Sequence, residues 1–476
     1  LARPLRARVH DYARDISQPP YDDQDKHTSR TLPASWLMHP LTLCTHATFL
    51  YSSPQHFRMT GGCLKGCGAC VVFLAIAFPL AVSFMFGGWT SEYHSAPHFK
   101  VSDIAHETGV FALVTGANTG IGKETALALA RAGRTVFLGS RSLAKGEAAK
   151  KWIEDALVNE EGTKDAGAII VTQIDLADLS SIATAAAKVK STTSQLDLLI
   201  LNAGVMKSPG AAFAGQTFTY GFEQTAQGFE YHIGVNHIGH FYLTQLLDPE
   251  LRAAKAARVI SVSSAAEVGA APEGIQFEMW STKGPEMPSS YEDGVAYGQS
   301  KLANILFARE YVKRMQSSGA GQIQAYSLHP GLINTELSRY MENEMDAQAE
   351  GSAVKQLVNT VMNVIFQGVM FSPRGGALTQ LYCATQTIDP AFNGGYFVPV
   401  GTKVTPTHPK AMDDALAAKL WAKTEDAIAN ALAKEDATVA VAAAAAAANT
   451  AAATKKPHVP GQPVLLDSRI QRGASS

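Results

Sequence analysis

The sequence predicts an α/β domain in which parallel strands form one sheet covered by helices on both faces. Two observations carry this expectation. From about residue 105 onward, short apolar runs alternate with helix-rich segments, and the first of those runs passes through a glycine-rich turn directly into a helix. Composition agrees: of 476 residues, 46% are hydrophobic and 17% charged, enough for a large core and incompatible with a wholly disordered chain. Forty Lys and Arg against 42 Asp and Glu exclude a generally basic nucleic-acid binder. Five cysteines are too few for a disulfide framework at this length.

Four regions follow in chain order. Residues 1–58 mix Arg3, Arg6, Arg8 and Arg14 with Asp11, Asp15, Asp22, Asp23 and Asp25, and show no sustained apolar period. They are too acidic for a transit peptide and read as disordered or as upstream translation, with Met59 the expected initiator. Residues 59–104 read as a membrane anchor and linker. Ala69–Phe86 carries no charge and, at about 1.5 Å per residue, crosses most of a ~30 Å hydrocarbon core. Pro79 is tolerable in such a helix. No A-x-A-like cleavage site follows Phe86, so a retained single N-terminal transmembrane helix is expected ahead of a cleaved signal peptide. Arg58 and Lys65 before the span weakly place the N-terminus in the cytoplasm. Cys63, Cys67 and Cys70 have the spacing of some iron–sulfur enzymes, but a triplet running into a span reads as juxtamembrane, and no metal site is expected.

The third region, 105–432, is expected to be the folded α/β domain. Strands are expected at Phe111–Thr115, Thr135–Gly139, Ala168–Gln173, Leu196–Leu201, Arg258–Val262, Gln322–Leu328 and Gly395–Val398. Gly116, Gly120 and Gly122 form T-G-x-x-x-G-x-G between the first strand and the helix that begins at about Lys123. Missing side chains there let a pyrophosphate approach the backbone, and the helix N-terminus favours its charge. Tyr297 and Lys301, four residues apart, share one helix face. A phenol of pKa ~10 is a poor acid–base group at neutral pH, and an ammonium beside it is expected to lower that value. The fourth region, 433–476, is low in complexity, with an unbroken alanine run at 442–448. It reads as a disordered or transiently helical tail.

Beyond these readings, Thr115–Gly122, Asn202-Ala203-Gly204, Asn236, Ser263-Ser264, Tyr297-x-x-x-Lys301 and His329-Pro330-Gly331 occur in the order found in short-chain dehydrogenases/reductases. Val235-Asn236-His237-Ile238-Gly239-His240-Phe241 and Ser300-Lys301-Leu302-Ala303-Asn304 further resemble the retinol-dehydrogenase-like branch. The resemblance covers about residues 105–430. It implies a Rossmann-type, doubly wound parallel sheet of order 3-2-1-4-5-6-7. It also implies an oxidoreductase that interconverts a carbonyl and an alcohol by hydride transfer, with Tyr297 as acid or base. In that picture Ser264 holds the substrate oxygen, Lys301 also holds the nicotinamide ribose, and Asn236 supports Lys301 through a water-linked proton path. The cofactor would be contacted by Gly116, Asn118, Thr119, Gly120, Ile121 and Gly122. Asp175 and Leu176 would flank the adenine, and Asn202, Ala203 and Gly204 the ribose side. Pro330, Gly331 and Thr335 would lie at the nicotinamide end. His329 is expected to frame the pocket through its backbone, and His237 and His240 to satisfy local packing.

Ser140 stands where an NAD enzyme usually carries an acid, and Arg141 follows it. A guanidinium suits a 2′-phosphate, so NADP(H) is expected ahead of NAD(H). Apolar residues between Asn334 and Phe371, among them Leu337, Tyr340, Val358 and Ile365, are expected to form a lid that suits a lipophilic substrate such as a retinoid, sterol or fatty aldehyde. Residues 205–228 are longer than the corresponding family loop. Two other functions compete: light-driven protochlorophyllide reduction, which shares the Tyr-x-x-x-Lys motif, and a membrane-anchored nucleotide-sensing scaffold without turnover. A single-pass membrane protein follows, in the endoplasmic reticulum ahead of chloroplast or mitochondrion. Its partners would be a lipophilic small molecule and the membrane, not nucleic acid, and a homodimer is left open.

Overall fold

Apolar runs that read as strands become the centre of the molecule because helices cover them on both sides. In the computed structural model, which describes residues 98–158, 165–206, 222–280, 291–333 and 371–454 (side chains through Thr438), seven strands pair in parallel. They are β1 (Phe111–Val114), β2 (Thr135–Ser140), β3 (Ile169–Gln173), β4 (Leu198–Leu201), β5 (Arg258–Val262), β6 (Gln324–Leu328) and β7 (Tyr396–Val398), in the order 3-2-1-4-5-6-7. The sheet is not wholly parallel, however. β8 (Thr402–Val404) pairs antiparallel with β7 and makes an eighth strand at the edge. A tight turn with Gly401 at φ +69° brings the chain straight back. An edge strand buries little, so β8 has no apolar run by which a sequence pattern could reveal it.

Side chains alternate across the sheet. Leu113 and Phe137 enter one core with α3 (Leu179–Thr192), α4 and α6 (Asp293–Ser317), while Ala112, Val114, Val136 and Leu138 enter the other with α1 (Gly120–Arg131), α2 (Leu143–Val158) and α7 (Pro373–Thr385). Here α4 denotes one continuous element: a turn Tyr231–Ile233, a π-helical stretch Gly234–Ile238 and an α-helix Gly239–Leu246. A short α5 (Asp248–Ala253) follows it.

The last helix, α8 (Asp414–Thr454), is fastened by Trp421, whose ring stacks on Phe307 of α6 at 5.9 Å and 4° and meets Phe241 of α4 edge-on at 4.6 Å. Such aromatic pairs contribute ~0.5–1.5 kcal/mol each beyond the area they bury. The domain boundary expected at 432 falls inside this helix, which continues to Thr454. Just past that position Glu435 accepts a 2.6 Å hydrogen bond from Gln227. Its first turns are held by tertiary packing and its alanine-rich end continues an element already nucleated.

Among the described residues no helix is long and apolar enough to cross a membrane. The expected span Ala69–Phe86, Met59, the three N-terminal cysteines, the lid from Asn334 to Met370 and Thr335 lie outside the described residues. So do residues 207–221, the greater part of the loop expected to be extended.

Candidate active site

Parallel pairing brings the carboxyl ends of β1–β7 to one edge, and the strand order reverses between β1 and β4. In open α/β sheets that reversal opens a crevice for a ligand. Here it holds a cavity of about 760 Å³, within the ~300–1,000 Å³ usual for small-molecule sites. The glycine loop forms one wall. Gly116 has φ +65°, and a Cβ there would stand 2.9 Å from Cα of Ala203; a Cβ on Gly122 would stand 2.5 Å from Nδ2 of Asn202. Bare backbone at both positions lets loop and strand end approach.

Gly116, Asn118, Thr119, Gly120, Ile121, Gly122, Arg141, Asp175, Leu176, Asn202, Ala203 and Gly204 all line this one cavity. Pro330 and Gly331 do not: they follow β6, where Gly331 at φ +97° packs under Phe371. Ser140 also lines the cavity; it is buried, and its hydroxyl donates to the Ser142 carbonyl at 2.8 Å. Arg141 is exposed and donates to the Tyr231 hydroxyl at 3.4 Å. Lys145, Glu223 and Tyr231 line the same end and were not anticipated. Lys145 could have been, since it lies one helical turn beyond Arg141. Tyr231 arrives from α4 by tertiary folding and leaves no local signal.

The other expected residues converge from three elements. Tyr297 and Lys301 are buried on α6 (7% and 4% exposed), with the lysine Nζ 5.6 Å from the phenol ring centroid. Lys301 donates to the Val262 carbonyl at the end of β5 at 3.2 Å. A Cβ on Gly204 would stand 3.1 Å from that Nζ and 3.5 Å from Oδ1 of Asn236, so all three meet at the inner end of the crevice. Asn236 is fully buried: its Oδ1 accepts from the Val205 amide at 2.8 Å, and its Nδ2 donates to the Val205 carbonyl and to Ser300 Oγ, each at 3.0 Å. Ser263 donates to the Lys301 carbonyl at 2.6 Å and so ties β5 to α6. Ser264, half-buried, accepts from the Ala266 amide at 3.1 Å and also bonds the Tyr297 phenol.

Burial dominates the electrostatics. It pushes the Tyr297 phenol up to about 12, against a smaller downward pull from Ser264, and it pushes the Lys301 ammonium down to about 8. The expected lowering of the phenol by its lysine neighbour is therefore reversed in the protein alone, because both groups lose water. His237 is driven to about 3 by burial, then by its proximity to His240, and it packs among Phe241, Trp280 and Phe307 while bonding Thr424 at 3.0 Å. Burial also lowers His329 to about 4, and neither of its ring nitrogens has a hydrogen-bond partner among the described residues. Its backbone amide donates to Phe397 at 2.9 Å. Cys383 is fully buried in the core against α1 and α2, away from the crevice.

Residues 110–277 match the family model for short chain dehydrogenases. The chain is 37% identical over 289 residues to retinol dehydrogenase 11 of Mus musculus, an alignment covering 61% of this chain and 77% of that protein. It is 36% identical over 316 residues to retinol dehydrogenase 12 of Homo sapiens (66% and 84% covered) and 37% identical over 318 residues to human retinol dehydrogenase 13 (66% and 83%). The chain belongs to the short-chain dehydrogenase/reductase family, on its retinol-dehydrogenase-like branch. That is a family of oxidoreductases that bind NAD(P)(H).

Proposed function

We propose that this chain is an NADP(H)-dependent oxidoreductase that interconverts a carbonyl and an alcohol on a lipophilic substrate of retinoid, sterol or fatty-aldehyde type. The observation that carries the reading is the meeting of Tyr297, Lys301 and Ser264 at the carboxyl edge of the sheet, beside a crevice walled by bare glycine backbone. The residues fit a dinucleotide: the close approach at Gly116 and Gly122 leaves amide groups for a pyrophosphate, and the crevice volume suits the cofactor. Asn118–Gly122 would hold the phosphates, Asp175 and Leu176 the adenine, and Asn202–Gly204 with Lys301 the ribose next to the reacting ring. When bound, the nicotinamide supplies or accepts the hydride.

The chain's own part is proton handling. A phenol held up to about 12 is fully protonated at neutral pH and so stands ready to donate to a carbonyl oxygen. Ser264, already bonded to that phenol, would hold the same oxygen. Lys301 would stabilise the phenolate left behind, and Asn236, which accepts from and donates to Val205, would keep the floor of the site fixed. Arg141 supports NADP(H) over NAD(H): it lies exposed at the crevice mouth, with Lys145 one turn further on. The lipophilic substrate rests on the names of the relatives.

Turnover of a panel of lipophilic aldehydes with NADPH and with NADH tests the reading. Reduction of at least one aldehyde, faster with NADPH, is expected, and failure of the whole panel with both cofactors would overturn it. The single span at 69–86 is part of the same proposal. The full chain should stay with membranes after an alkaline carbonate wash, and its recovery in the supernatant would remove the anchor.

A further inference from the structure

One buried polar cluster has no part in the roles assigned above. Glu230, 1% exposed, caps α4 by accepting from the backbone amides of His232 and Ile233 at 3.0 and 2.9 Å. Its carboxylate also lies 2.8 Å from Nδ1 of His232 and accepts from the Tyr291 hydroxyl at 2.9 Å. A carboxylate only accepts, so Nδ1 of His232 carries a proton. Tyr291 in turn bonds Asp293, the first residue of α6. On its other side the His232 ring meets the Tyr297 ring edge-on, with centroids 6.0 Å apart and planes at 68°.

An ordinary helix cap does not need this arrangement. Ser or Asn caps a helix start without burying a charge, whereas a buried carboxylate is expensive unless it is fully hydrogen-bonded. Burial raises the Glu230 carboxyl, yet its hydrogen bonds, led by that from His232, outweigh this and hold it below the usual carboxylate range. The two extra bonds also run in particular directions. One leads through His232 to the phenol proposed as proton donor; the other leads through Tyr291 to the start of the helix that carries it.

We infer that Glu230 is a positioning residue for Tyr297, joining the start of α4 to the start of α6 and clamping His232 against the phenol ring. Asn236 on α4 and the Tyr297–Lys301 pair on α6 are thereby kept in one register at the site. The inference rests on the proposed role of Tyr297 as acid and base.

Two variants of the full chain test it, Glu230→Gln and Tyr291→Phe, each also made in the Tyr297→Phe background, with kcat, KM and NADPH affinity measured on a verified substrate. Tyr291→Phe removes one oxygen and keeps the ring that meets Phe222 at 5.1 Å, so it serves even where Glu230→Gln does not fold. Losing a bond to a charged group is expected to lower kcat roughly ten- to a hundredfold in Glu230→Gln and roughly three- to tenfold in Tyr291→Phe, with KM and NADPH affinity nearly unchanged. In the Tyr297→Phe background, the residual turnover should no longer respond to Tyr291→Phe. An equal loss in both backgrounds would show that the cluster acts on something other than Tyr297. Unchanged kcat in Tyr291→Phe and in a folded Glu230→Gln would also overturn the inference. Full turnover in Tyr297→Phe alone marks a different failure, that of the proposed function itself.

Discussion

The hydroxyl of Thr115, at the end of β1, lies 2.9 Å from Nε2 of His240 on α4, and Nδ1 of His240 lies 3.0 Å from the Asn236 carbonyl oxygen. A carbonyl only accepts, so the network assigns the proton to Nδ1 and leaves Nε2 to accept from Thr115. The Thr115 oxygen also accepts from the amides of Asn202 and Ala203 at 2.9 and 3.0 Å. One hydroxyl thus joins β1, the loop after β4 and the helix that carries Asn236. His240, read from sequence as local packing, is a joint between the sheet and the helix that carries Asn236.

Thr115→Val keeps the shape of the side chain and removes that joint. Two amides lose their acceptor, at roughly 1–3 kcal/mol each where they stay shielded from water. Urea unfolding should show a fall of about that size or somewhat more, and a loss below about 0.5 kcal/mol would mean that water replaces the hydroxyl.

Acid should destabilise the fold through buried imidazoles. Burial holds His240 and His329 at about 4 and His237 at about 3, against 6.5 when exposed. Between pH 6.5 and 4 the unfolded chain therefore binds more protons than the folded one, and stability falls as pH falls. In the cofactor-free protein the slope of unfolding free energy against pH should approach that of three protons near pH 5. His237→Leu should reduce that slope by about one proton. A flat profile across this window would mean that these imidazoles protonate without unfolding.

Lys301 pulls stability the same way at higher pH. Its lowering from 10.5 to about 8 corresponds to roughly 3 kcal/mol against the buried ammonium. The unfolded chain binds that proton up to about pH 10.5, so stability rises between pH 8 and 10. Above pH 10 the raised Tyr297 reverses the trend. Lys301→Met should flatten this rise and stabilise the cofactor-free chain at pH 7 by about 1–3 kcal/mol while abolishing turnover. The Val262 carbonyl would keep its bond from Asn304 at 3.0 Å. A Lys301→Met protein less stable than wild type at pH 7 would show that the ammonium is well solvated.

Tyr297→Phe keeps the ring against His232 and removes the hydroxyl that carries the proton and bonds Ser264. General acid–base steps contribute ~10²–10⁴-fold, so kcat should drop by that order while NADPH still binds, as followed by its fluorescence. Near-normal turnover would take Tyr297 out of the chemistry.

Arg141→Ala addresses cofactor choice. A bond to a charged group is worth ~1.5–3 kcal/mol, so kcat/KM with NADPH should fall roughly ten- to a hundredfold, with little change for NADH. Equal losses with both cofactors would mean that Arg141 supports the loop through Tyr231 instead of reading a 2′-phosphate.

The sheet was legible in the sequence because strands buried on both faces must be apolar throughout, and the glycine loop because no side chain fits where Gly116 meets the backbone of Ala203 and Gly122 meets the carbonyl of Gly116 and the side chain of Asn202. Tyr297 and Lys301 were legible because they fall in the motif order of the resembled family, and helical spacing puts both on one face. The antiparallel β8 was not, since an edge strand has no apolar run to announce it. Nor was the direction in which Tyr297 is shifted: burial acts on both members of the pair, and burial belongs to the assembled core, not to any local spacing. The roles of His240, Glu230 and Tyr231 were equally hidden. Each depends on partners up to 125 positions away, as His240 does on Thr115, and hydrogen bonds of that reach exist only once the sheet and its helices are in place.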